Sequence, residues 1–170
     1  KLVGVSKNSP EGISAFVAPM MLPKEHPLAN VNGSFNAIFV KGNMVGDLMF
    51  YGRGAGSLPT ASAVVSDVIA AARHQHLHVD VDWTAEKMEI LSNDYMEVKA
   101  LVRIAGGEAE QKKALEVFFE GGRGCSVVTI EEAKDEFAVI TGIETEKSLA
   151  EKIEQLSKEM EVRNRIRMEM

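Results

Sequence analysis

Cysteine is nearly absent from this chain, and so are a membrane-length apolar run and any excess of positive charge. The single cysteine, Cys125, excludes an internal disulfide framework and suits a reducing, cytoplasmic compartment. Beside the run SVVTI it reads as a small buried core residue rather than a nucleophile. No apolar stretch approaches the roughly 20 residues that a bilayer crossing needs, and no signal-peptide pattern is visible. A net charge of −6 and a pI near 5.3 argue against nucleic acid or an anionic membrane as partner. A G-x-G-x-x-G string is also missing. GRGAGS, at 52–57, has the wrong spacing for that dinucleotide fingerprint. Nor is there an initial Met: the chain opens KLVGVSK, as a strand already under way, and reads as the C-terminal portion of a longer protein.

What is present is a globular composition, 45% hydrophobic, with two halves of different character. Residues 1–78 are rich in Gly, Ala, Pro and Met and nearly neutral. GISAFVAPMML (12–22) reads as a strand, with Pro19 and Pro23 marking its end or an edge. FNAIFVKGNMVGDLMFYG contains two apolar runs separated by Lys41, Gly42 and Asn43, a hairpin signal. Residues 59–73 read as a helix with Ser57 as N-cap, Pro59 in the first turn, and an apolar face of Ala63, Val64, Val68 and Ile69. His26, before Pro27, reads as structural, and Asp67 as solvated or capping. A polar connection follows at 74–93, with a linker expected at 79–93 and Trp83 packing the halves together. His74, His76 and His78 would share one side of an extended strand, but no carboxylate or Cys ligand pattern joins them, so no metal is expected.

Residues 94–170 carry 12 Lys and Arg against 17 Asp and Glu, hence −5 of the −6 net charge. DYMEVKALVRI alternates with period two, setting Met96, Val98, Ala100, Val102 and Ile104 on one face. EAEQKKALEVFFEGG is an amphipathic helix with Ala109, Leu115, Val117, Phe118 and Phe119 available for burial and Gly121-Gly122 as its stop. CSVVTIEEAKDEFAVITGI is two strands about a charged tip. TEKSLAEKIEQLSKEM is a helix capped by Thr145, with Leu149, Ile153 and Leu156 inward, and EVRNRIRMEM closes as a strand. The predicted order is βαββαβ, ferredoxin-like, so the expected class is α+β.

Two glycine clusters stand before predicted helices. Gly52, Gly54 and Gly56 fall within five residues, at the junction of a strand and an Ala/Val-rich helix. Bare backbone approaches a ligand closely and a helix start collects unpaired N–H groups, the ingredients of an anion site; a tight turn would use the same residues. Gly106, Gly107 and Glu108 open the later helix, either to bind a carboxylate or only to turn the chain.

The segments HPLANVNGSFNAIFV (26–40) and FYGRGAGSLPTASAVVSD (50–67) resemble the end of the catalytic region of homoserine dehydrogenases, over about residues 1–73. The second half is similar to the ACT regulatory domain that follows this region in many such enzymes. The resemblance implies a mixed-sheet catalytic and dimerisation domain ending at about residue 78, then a ferredoxin-like ACT domain at 94–170. It implies an oxidoreductase interconverting L-aspartate 4-semialdehyde and L-homoserine with NADP or NAD, on the route to threonine, isoleucine and methionine. Gly56, with Gly54 and Ala55 as neighbours, becomes the expected cofactor contact, and Gly106, Gly107 and Glu108 the expected effector contact. The family's catalytic lysine has no counterpart among residues 1–170, Lys1 included, so no catalytic residue is expected here and this chain alone should be inert. The acidic-x-Pro-Gly turn common in amino-acid-binding ACT domains is replaced by RIAGGEAEQ. The expected partners are substrate, dinucleotide, an amino-acid effector and a second copy of the chain, a homodimer or higher. The alternative is a stand-alone amino-acid-binding or structural oligomerisation module.

Overall fold

The computed structural model of the chain describes residues 1–76, 85–119 and 124–170. His78, Trp83 and the Gly121-Gly122 stop, and with them part of the expected linker, lie outside the described residues. The chain divides into two compact units, Lys1–Leu22 with Met88–Met170, and Pro23–Lys87. These units cut the chain differently from boundaries at 78 and 94, because the first two strands join the later sheet.

In the first unit, β1 (Leu2–Ser9) and β2 (Gly12–Met21) form an antiparallel hairpin in register from Leu2 opposite Pro19 to Ser9 opposite Gly12. Pro19 sits inside β2 and not at its end. Its missing N–H does no harm, because Met20 exchanges both main-chain bonds with Lys1, which turns the Pro19 main chain to the other side. There β9 (Val162–Met168) pairs in parallel only from Met20 and Met21 onward. The sheet continues through β5 (Glu97–Ala105), β7 (Glu136–Ile140) and β6 (Ser126–Val128), in the order β1-β2-β9-β5-β7-β6. The two-residue β8 (Glu144–Thr145) pairs with the start of β5. The β2–β9 contact is parallel and the other pairings antiparallel, so the sheet is mixed.

The alternation of β5 decides where the core lies. Val98, Ala100, Val102 and Ile104 are buried on one face, under α2 (Glu108–Phe119) and α3 (Glu146–Ser157). They pack with Ala114, Phe118, Phe137, Val139, Leu149 and Leu156, and Cys125 lies half-buried against the same cluster. Two expected burials fail: Ala109 and Phe119 are exposed, and Ala114 is buried instead. A 3.6-residue repeat aligns Ala114 with Phe118 on one stripe, which leaves Phe119 a hundred degrees or so away from it. Thr145 caps α3 as expected, accepting the Ser148 N–H at 3.2 Å. Thr141 is fully buried, and its hydroxyl oxygen accepts the Ala100 N–H at 3.0 Å.

The second unit is thinner. The hairpin β3 (Phe35–Gly42) and β4 (Gly46–Arg53) turns at 43–45, two residues later than the sequence suggested. Helix α1 (Ser57–Arg73) starts two residues earlier than expected, and its N-cap is Gly56, not Ser57. The helix ends at His74, whose N–H bonds the carbonyls of Ala70 and Ala71; His76 follows in a turn, so these histidines do not line a strand. No residue of this unit is buried among the described residues. Val64, Val65, Val68 and Ile69 of α1, and Ile38 and Phe50 of the hairpin, all stand exposed.

Candidate functional site

The glycines between β4 and α1 serve different ends. Gly52 sits in extended backbone with open space where a side chain would be. Gly54 has no positive φ either, but a Cβ there would lie 2.4 Å from the Asn36 amide nitrogen. Gly56 has φ +127°, a conformation that favours glycine, and a Cβ would press on Pro59 at 3.3 Å. The chain therefore needs glycine at 54 for space and at 56 for its dihedral.

No side chain caps the start of α1. The Thr60 N–H bonds the Gly56 carbonyl at 3.1 Å, and Pro59 has no N–H to offer. The N–H groups at Ser57 and Leu58 therefore open outward, beside exposed Gly54, Ala55 and Gly56. Such a start carries partial positive charge and suits an anionic group such as a phosphate. An open hollow of about 440 Å³ also runs along α1 at Val65, Ile69 and Arg73. Its walls come from the helix and its C-cap alone, which makes it the surface of an uncovered helix rather than a built pocket.

The second glycine cluster is arranged differently. The Gly106 N–H donates to the Asp135 carbonyl at 3.0 Å, and the Gly107 N–H to the Glu110 carboxylate at 2.8 Å. Glu110 thus caps its own helix from the third helical position, as the glutamate of a capping box would. The Gly107 N–H holds its carboxyl below the usual carboxylate range. Gly106 has φ +141°, and a Cβ there would strike the Glu110 side chain at 2.6 Å. Glu108 opens α2, exposed. Of the two donors that the sequence offered to a ligand carboxylate, one is taken by a main-chain carbonyl and the other by a carboxylate from the chain itself. The signal was present three residues away, in the spacing Gly107 to Glu110.

His26 is structural in its bonding: Nδ1 accepts the Leu28 N–H at 3.1 Å, and the ring meets Phe39 edge-on. Carboxylates that the sequence did not single out tie the C-terminal sheet together. Glu136 takes a two-pronged bond from Arg103, at 2.6 and 2.9 Å, and a further one from Arg163. Those guanidiniums, Arg103 foremost, hold the Glu136 carboxyl low. Glu144, buried, pairs with Lys152 at 3.0 Å and accepts the Ser148 hydroxyl at 2.6 Å. Glu146 pairs with Arg165 and Arg167. Among the described residues the two buried carboxylates, Glu144 and Glu146, both have cationic partners, as ties of the fold do. Among the described residues no group of His, Cys, Asp and Glu could hold a metal ion, and no helix is long and apolar enough to cross a membrane.

Comparison with known proteins points one way. A family model described as homoserine dehydrogenase matches residues 1–69. A homoserine dehydrogenase of Corynebacterium glutamicum is 59% identical over 70 residues, covering 41% of this chain and 16% of that protein. One of Neisseria gonorrhoeae is 33% identical over 169 residues, covering 88% of this chain and 38% of that protein. The crystal structure of a homoserine dehydrogenase from Thiobacillus denitrificans superposes with a TM-score of 0.77 at 26% identity, over 99% of this chain and 42% of that one. A Staphylococcus aureus homoserine dehydrogenase gives 0.68 at 29% identity, over 100% and 41%. The chain thus spans well under half the length of these relatives.

Proposed function

This chain belongs to the homoserine dehydrogenase family, and we propose that it supplies the end of the catalytic region, residues 1–78, joined through 79–93 to an ACT-like regulatory or pairing domain at 94–170. The activity so served is the interconversion of L-aspartate 4-semialdehyde and L-homoserine, in cytoplasmic synthesis of threonine, isoleucine and methionine. The nicotinamide dinucleotide, NADPH or NADH, supplies the hydride. What this chain contributes is backbone. Gly56, with Gly54 and Ala55, lets an anionic part of the cofactor come close, and the first N–H groups of α1 meet its charge. The observation that carries this reading is the uncapped, exposed start of α1 inside the segment that the family model matches.

The test is Gly56→Ala in a full-length enzyme holding this chain. The expected result is a KM for the dinucleotide raised about tenfold, close to 1.4 kcal/mol of lost binding, with the KM for the semialdehyde held. An unchanged dinucleotide KM overturns the assignment. The chain by itself should not reduce the semialdehyde, because no residue of it matches the family's catalytic lysine; steady turnover would defeat that.

For residues 94–170 the strand order β9-β5-β7-β6, with α2 after β5 and α3 after β7 and the two-residue β8, supports the ferredoxin-like and hence ACT-like reading. Pairing of two subunits is the role favoured here, because the Gly106 and Gly107 N–H groups are already bonded. An amino-acid effector at Gly106, Gly107 and Glu108 would have to displace Glu110. Titration with L-threonine, L-isoleucine and L-methionine decides: a ligand of the folded state at a hundredfold excess over its Kd adds about 2.7 kcal/mol. A response to one of them would restore the sensor role.

A further inference from the structure

The first two residues of β3 bear on the end of β4 and on the residue just past it. On one face Phe35 stacks on Tyr51, with centroids 4.9 Å apart and planes within 6°, and the Arg53 guanidinium lies 5.2 Å over the Phe35 ring. Phe35 faces Arg53 in the last pair of the ladder, just before residues 54–56, and Asn36 faces Gly52. Successive strand residues point to opposite faces, so Asn36 lies on the side away from that stack. There its amide fills the space that a side chain at 54 would need. Residues 54–56 have left the ladder by then, and the Asn36 side chain is what reaches past its end. Gly54 has no positive φ, so its lack of a side chain answers to Asn36 and not to backbone strain.

We propose that Asn36 is a positioning residue: its carboxamide, seated against Gly54, sets the path by which residues 54–56 leave β4 and so the height at which they meet the cofactor. The inference rests on the reading of those residues as the cofactor contact. Asn36 itself touches no reacting atom. It acts by limiting how far the exposed loop can sag toward the hairpin, and the loop's backbone groups are useful only if they already stand in place when the ligand arrives.

The variants are Asn36→Ala, Gly54→Ala and the pair together, with Gly56→Ala as the reference for cofactor contact. The first readout is trypsin cleavage of the Arg53–Gly54 bond in this chain, followed by mass, together with hydrogen exchange at 54–57. Cleavage tracks the fraction of time that the loop is open. Asn36→Ala should speed the cut about tenfold, equivalent to ~1.4 kcal/mol of easier opening. The double variant, whose methyl at 54 refills the emptied space, should return the rate toward that of the parent chain, a non-additivity expected only of neighbours. The second readout is kinetic, in the full-length enzyme. Asn36→Ala should raise the KM for the dinucleotide while kcat and the KM for the semialdehyde hold, a split that general destabilisation would not produce. An unchanged cutting rate in Asn36→Ala, or additive behaviour of the pair, overturns the positioning role and leaves Gly56 as it was. A loosened loop with neither Asn36→Ala nor Gly56→Ala affecting the dinucleotide KM overturns the cofactor reading, and this inference with it.

Discussion

Two helices of this chain begin behind glycines, and they begin in opposite ways. Helix α1 has a glycine N-cap, no side chain over its first N–H groups and no buried residue along its 17 residues. Helix α2 has Glu110 folded back on the Gly107 N–H, and it buries Ala114 and Phe118 in a shared core. The glycine clusters look alike in one dimension. What separates them is whether a carboxylate stands three residues downstream and whether the helix has something to pack on. A self-capped, packed helix is a finished structural part, whereas an uncapped and uncovered one has its donors and its apolar face still to spend.

The contrast can be broken, most forcefully at the core. Phe118→Ala removes a ring that is 1% exposed and should cost about 3–5 kcal/mol in urea unfolding; a loss under about 1 kcal/mol would show that α2 is held no better than α1. Gly106→Ala sets a side chain at φ +141° against Glu110, and a cost of about 1–3 kcal/mol should appear as a lowered thermal midpoint. Thr145→Ala should cost about 1 kcal/mol through the lost α3 cap, read in the same melts. Val68→Asn, on exposed α1, should move stability of the isolated chain by no more than about 0.5 kcal/mol. A larger loss would mean that α1 is covered, as by a second copy, and light scattering would then find a dimer.

Acid unfolding sharpens the same comparison. The Glu110 carboxyl titrates below its ordinary range in the folded chain because it accepts the Gly107 N–H. The stability it adds is complete above the ordinary carboxylate range and is lost as pH falls through the lowered value. Glu110→Gln should flatten the acid limb of stability between about pH 5 and pH 3, the range in which glutamates titrate. An unchanged limb would remove the self-cap.

The alternation of residues 96–104 was enough to name the buried face of β5, because period two leaves no second choice once one face is apolar. The α3 cap was legible for a similar reason: Thr145 stands directly before an amphipathic run. The hairpin turn slipped by two residues, since Gly42 and Gly46 are both acceptable ends and no buried face selects between them. Phe119 misled because two adjacent rings cannot lie on one helical stripe, and only packing shows which is inside. At the candidate sites, the loop from Gly54 to Gly56 was marked by its glycines alone, but the reason for Gly54 lies in Asn36, 18 residues away in sequence and adjacent only in the fold.

By itself the sequence determined the periods: which strands alternate, which helices are amphipathic, where the backbone must be bare, and which family motifs the first half carries. Tertiary structure alone decided which of those features were already used. It drew β1 and β2 onto β9, sealed Gly107 with Glu110, set Asn36 against Gly54 and left α1 uncovered. The physical reason is range. Periodicity and capping act within a turn or two of chain, whereas a donor's partner and a face's cover come from residues brought together only when the chain folds.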